Sequence, residues 1–251
     1  MALRYQKPPL VEALCEVRFA STQERSWDWA IPGMLYERIR DRFPIRREHH
    51  AINIPVATPV PMGAAAPSIE RLQFVSGDEN TVVQVGPDLL AVNSLRPHLG
   101  WAELRDTLLD ILIVYRDIAS PSGIATTAVR YINRVEIPFL AESGFTLERY
   151  FNVLPGLPAG VPRMVTTFVI HTEVEYEAPA AIFRFLFGTT ESTAQIAAFT
   201  LDYEHVSQES SPPTFDSLRG WLDAGHDRIE LAFYGSFTPM THAEVFQEIR
   251  S

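Results

Sequence analysis

Three stretches between residues 164 and 205 alternate apolar and charged side chains with a period of two. In Met164 to Glu177, Phe168, Ile170, Thr172, Val174 and Tyr176 share one face, and His171, Glu173, Glu175 and Glu177 share the other. In Ala181 to Gly188, Phe183, Phe185 and Phe187 alternate with Arg184, and in Ile196 to His205, Phe199, Leu201 and Tyr203 alternate with Asp202 and Glu204. Successive strand side chains point to opposite faces, so this pattern predicts an antiparallel sheet with one face on a core and the other toward water or a partner.

Outside this region the pattern mixes strands with helices. A strand is expected at Val11 to Phe19, then a helix from Trp27 to Phe43 capped by Ser26 and closed by Pro44. Strands follow at Glu48 to Pro55, Ile69 to Val75, Thr81 to Val85 and Leu89 to Ser94, with a Pro/Ala/Gly-rich loop at Val56 to Pro67. A helix at Trp101 to Ile118 repeats Leu104, Leu108, Ile111, Leu112 and Tyr115 at helical spacing. The second half runs from a strand at Thr126 to Pro138 through a short helix at Leu147 to Asn152 and the three alternating strands. It continues to a helix at Phe215 to Phe233 and a short terminal helix, His242 to Ile249, capped by Thr241.

The order strand, helix, meander, helix thus occurs twice, over about 8–118 and 124–235, with a short C-terminal extension. The expected fold is α+β: a single domain over 1–251 with one antiparallel, saddle-like sheet from a duplicated unit and the long helices on one face. Two lobes with separate sheets are the competing arrangement.

Composition excludes several classes. The 251 residues can bury a substantial core, and the formal charge of −10 argues against nucleic-acid binding, which needs clustered cations. The densest basic cluster, Arg38, Arg40, Arg42, Arg46 and Arg47, reads as a solvated face. The single cysteine, Cys15, sits in an alternating apolar run and reads as a buried hydrophobe rather than a nucleophile. No signal pattern or membrane-length apolar stretch is evident, so a cytoplasmic protein is expected.

Several segments, PPLVEALCEVRF (Pro8 to Phe19), GWAELRDTLLDIL (Gly100 to Leu112), RYINRVEIP (Arg130 to Pro138), YFNVLPGLP (Tyr150 to Pro158) and AGHDRIELAFYGSFT (Ala224 to Thr238), together resemble a family of sporadically distributed, uncharacterised bacterial and archaeal proteins of about this length. The resemblance implies an intracellular protein with no established activity and no catalytic residues or cofactor to carry over.

Three constellations are candidates for chemistry. Arg130 and Arg134 share the polar face of their strand and suit a carboxylate or phosphate, whereas Asn133 interrupts the apolar face and must find backbone or water partners. The favoured alternative pairs the arginines with carboxylates such as Glu12 or Glu16 on the first strand. Glu173, Glu175, Asp202 and Glu204, near His171 and Arg184, have the chemistry of a divalent-metal site for phosphoryl transfer, although alternating charge is the default for a solvent-facing sheet. His226 and Asp227 form an adjacent pair on the last helix, where a capping or interhelical hydrogen bond is expected of the histidine. Phosphate-loop, dinucleotide-binding and nucleophile-elbow motifs are absent.

The leading expectation is a non-catalytic protein-binding or accessory protein, of a mobile or defence-related system, that uses its polar sheet face or loop rims. The alternatives are a sensor of an anionic small molecule or nucleotide through Arg130 and Arg134, and a metal-dependent phosphotransferase or phosphohydrolase on the acidic face. An edge strand also offers a route to a homodimer, without a specific signal for one.

Overall fold

The computed structural model describes residues 5–20, 27–50, 69–138, 145–160, 165–193 and 195–249. The chain runs β1 (Leu10–Phe19), α1 (Ala30–Ile39), β2 (Ile45–His50), β3 (Ile69–Val75), β4 (Thr81–Gly86), β5 (Leu89–Leu95), α2 (Trp101–Ala119) and β6 (Ile124–Pro138). It continues through β7 (Val169–Glu177), β8 (Ala180–Thr189), β9 (Ile196–Ser207) and α3 (Leu218–Ser236). The strands make one antiparallel sheet, ordered β2-β3-β4-β5-β1-β6-β9-β8-β7. The chain also divides into two compact units, Cys15–Thr127 and Met1–Leu14 with Ala128–Ser251. The Ser26 cap, the loop over 56–67 and the ends of the strands expected to reach Pro55 and to start at Met164 lie outside the described residues.

In the first unit, helical spacing on α2 buries Leu104, Leu108, Ile111, Leu112 and Tyr115, and the Tyr115 ring stacks on Phe19 at 4.6 Å. Burying each such side chain contributes about 1.5–3 kcal/mol. β5 is buried from Leu89 to Ser94 on both faces, and its polar residues are satisfied: Gln84 donates to Asn93 at 2.8 Å, and Leu99 N–H to Ser94 Oγ at 2.9 Å. Cys15 is fully buried, as its place in the apolar run predicts. The basic cluster is largely engaged: Arg40 with Glu37, Arg42 with Asp110, Arg47 with Glu79, and Arg46 over the Tyr36 ring. α1 is shorter than the expected 27–43, and Asp28 accepts a hydrogen bond from its first amide.

The second unit packs α3 across β9. The odd residues Phe199, Leu201, Tyr203 and His205 are buried, and the even ones, Thr200, Asp202 and Glu204, are partly exposed on the opposite face. Leu218, Trp221, Leu222, Gly225 and Ile229 form the buried face of the helix. Gly225 permits the approach: a methyl group there would lie 2.8 Å from His205 Nδ1.

Two local expectations fail. Leu147–Arg149 is a single 3₁₀ turn, and the terminal helix is replaced by a π-helical turn, Thr241–Val245. Thr241 does not cap it; its hydroxyl donates to Tyr150 O at 2.7 Å. Long-range contacts outweigh local propensity here. Gln6 and Lys7 N–H donate to Gln247 and Phe246 carbonyls, Tyr5 OH bonds His242 Nδ1 at 2.8 Å, and Phe246 packs against Phe233 and Phe237. Desolvation raises the Tyr5 pKa well above the ordinary phenol range.

Candidate functional site

Register places Arg130 opposite Glu204, Glu204 opposite Arg184, and Arg184 opposite Glu173, so one row across β6, β9, β8 and β7 alternates in charge. Arg184 bridges Glu204 and Glu173, both at 3.0 Å. Arg130 reaches diagonally to Asp202, its Nε donating to both carboxylate oxygens at 2.9 and 3.1 Å. Hydrogen bonds that it donates to Asp202 hold the Arg130 guanidinium above its usual pKa, and those donated to Glu204 do the same for Arg184. Cross-strand pairs of this kind contribute about 0.2–1 kcal/mol each.

The expected partners of the arginines are therefore corrected. Arg130 pairs with Asp202, although Glu12 adds a weaker attraction, and Arg134 bonds Glu136 at 2.7 Å and the Glu191 carbonyl at 3.3 Å. Glu16 pairs with Arg18 and Arg71 instead. β6 has a neighbour on each side, and the carboxylates facing Arg130 most directly come from β9. Arg130 and Arg134 are four strand residues apart, about 13 Å along the strand, and each is engaged by a carboxylate of the chain.

Asn133 is buried on the opposite face, where its amide makes long contacts of 3.4 and 3.5 Å to the carbonyls of Leu201 and Tyr131. Asp202 is held by Arg130, and Glu173 and Glu204 by Arg184. Among the described residues no three His, Cys, Asp or Glu side chains gather closely enough to hold a metal ion. His226 Nδ1 bonds Tyr131 OH at 2.8 Å, a contact from helix to strand.

Sequence reasoning missed two features of this unit. The first is Arg228 on α3, which lies 3.9 Å over the Tyr176 ring and donates to the carbonyls of Ala178 (2.6 Å) and Pro179 (3.2 Å) at the β7–β8 turn. It also donates to His205 Nε2 at 2.7 Å. That bond places the imidazole proton on Nδ1, which is buried without a partner among the described residues. Burial, then the Arg228 charge, lower the His205 pKa to about 4.

The second is a cleft of about 750 Å³ beneath the LPGLP loop. Phe168, Phe199 and Thr189 line it, together with the exposed Leu154 and Leu157. Phe168 stacks edge-on against Phe187 at 4.8 Å, and its carbonyl accepts from Thr189 N–H at 3.1 Å. Gly188 makes this possible, since a methyl group there would sit 3.1 Å from that carbonyl. Leucines alternating with prolines were the available signal, because prolines keep the loop extended and leave the leucines nothing local to pack on.

The first unit has a smaller cavity, about 310 Å³, lined by Phe19, Trp27, Tyr115 and Asp88. No described helix is long and apolar enough to cross a membrane. A comparison with protein-family models gives no match, and neither does a comparison with curated proteins.

Proposed function

We propose that the chain is a non-catalytic, intracellular protein-binding or accessory protein, and that its binding site is the cleft beneath the LPGLP loop together with the neighbouring sheet rim. The observation that carries this reading is the open cleft, lined by both apolar and polar side chains, with the exposed Leu154 and Leu157 among them, in a unit whose sheet-face arginines are already paired with carboxylates of the chain. Apolar anchors in such pockets dominate protein–protein recognition. We also read the order β1–α1–meander–α2 and β6–short helix–meander–α3 as a duplicated unit, and place the chain with the sporadically distributed family that its motifs resemble. The anion-sensor and metal-phosphotransferase readings would use Arg130, Arg134, Glu173, Asp202 and Glu204, which ion pairs within this chain already engage, together with Glu175, which has none among the described residues.

The test is capture from native cells with the tagged wild-type protein and with Leu154→Asp/Leu157→Asp. A stoichiometric partner retained by the wild type and lost by the variant is expected. A wild-type protein that retains no stoichiometric partner contradicts the reading.

A further inference from the structure

β7 ends the sheet: β8 pairs with it along its whole length, and among the described residues no strand lies on its outer edge. Backbone N–H and C=O groups along such an edge are a template for another strand. Most soluble proteins blunt an edge of this kind with proline, bulges or charge; β7 has no proline or lysine and carries its charge as Glu173, Glu175 and Glu177, and most of it is exposed, including Val169 (63%) and Val174 (52%).

The two faces of β7 differ. On one, Glu175 and Glu177 have no ion-pair partner among the described residues, while Glu173 shares Arg184 with Glu204. On the other lie Ile170, Thr172, Val174 and Tyr176, in alternation with Phe168, which lines the cleft just before the strand begins. Cleft and edge therefore adjoin at Phe168: a pocket with Phe168 and Phe199 in its lining at one end, then a strand edge that is apolar on one face and acidic on the other.

We infer that β7 and the cleft bind an extended segment of a partner protein by strand addition. The segment alternates Lys or Arg with apolar residues and ends in a bulky apolar anchor. Paired residues of adjacent strands share a face, so its basic side chains lie over Glu173, Glu175 and Glu177, its apolar ones over Ile170 and Val174, and the anchor enters the cleft beside Phe168. A second copy of the chain is not the occupant, because its β7 brings no lysine or arginine to these glutamates and full-length antiparallel β7–β7 pairing sets Glu173 against Glu173. The inference deepens the protein-binding reading and rests on it.

A synthetic peptide of alternating Lys and Val ending in Phe tests it against the same peptide with Glu in place of Lys. Binding is followed by fluorescence anisotropy, and β7 by amide hydrogen exchange. The lysine peptide is expected to bind at least about tenfold more tightly than the glutamate one and to slow exchange along β7; Glu175→Lys/Glu177→Lys should weaken it about tenfold. Both substituted side chains are exposed, and an unchanged thermal unfolding curve verifies that the variant folds. Equal affinity for the two peptides, binding without protection of β7, or self-association that itself protects β7 would each overturn the inference. Capture in native cells that is lost in Leu154→Asp/Leu157→Asp, alongside failure of the peptide, would reject strand addition and leave the binding-protein reading standing.

Discussion

β9 and β7 read almost alike in sequence and do opposite things in the molecule. Both alternate apolar with charged residues. β9 lies inside the sheet, with α3 over its apolar face and Arg130 and Arg184 satisfying its carboxylates. β7 lies at the edge, with Val174 exposed and two glutamates lacking ion-pair partners among the described residues. An identical period therefore marks a structural strand in one place and a candidate recognition strand in the other; position in the sheet decides which.

The sharpest way to break that comparison is truncation. Leu201→Ala in β9 removes a fully buried side chain and should cost about 2–5 kcal/mol in chemical denaturation, whereas Val174→Ala in β7 should stay within about 0.5 kcal/mol. Similar losses at both sites would erase the distinction.

A pH series probes the β9–α3 contact. The folded-state pKa of His205 lies near 4, below its unfolded value, so the unfolded chain takes up a proton first as pH falls. This contribution is fully present above pH ~6.5, and about 3 kcal/mol of it is lost progressively down to pH ~4. His205→Gln should flatten that part of the stability profile; an unchanged slope would assign it to other groups.

Gly225→Ala should cost about 1–3 kcal/mol, because its methyl group would press on His205 Nδ1 and on Val129. The same exchange at Gly220 on α3, where nothing lies within 4 Å, should be neutral or slightly stabilising, by up to about 1 kcal/mol. A small loss is expected for Arg184→Ala as well, about 1 kcal/mol or less, since its partners are partly exposed and screened by salt.

Much of the fold was legible because its periods are local. The spacing of Leu104, Leu108, Ile111 and Tyr115 marks α2, and the alternation from Phe199 to Tyr203 marks β9. What depends on distant pairing was not. Arg130 could be read as needing a carboxylate, but only the strand order selects Asp202 on β9 over Glu12 on β1. The tail after Gly235 resembles a short helix until Tyr5 and Lys7 pair with it. Arg228 looks like a solvated helix residue until the turn at Ala178 and Pro179 folds beneath it. The cleft was visible only as a proline-rich loop, because its lining includes Phe168 and Phe199, residues far from that loop in sequence.

The most direct test of recognition at an open edge is amide hydrogen exchange on the free protein and on its complex with the stoichiometric partner that the wild type retains. β9 amides should be protected in both states, while outer-edge β7 amides should exchange freely in the first and slowly in the second. β7 exchange that is equally slow in the free protein, or unchanged in the complex, would contradict the account.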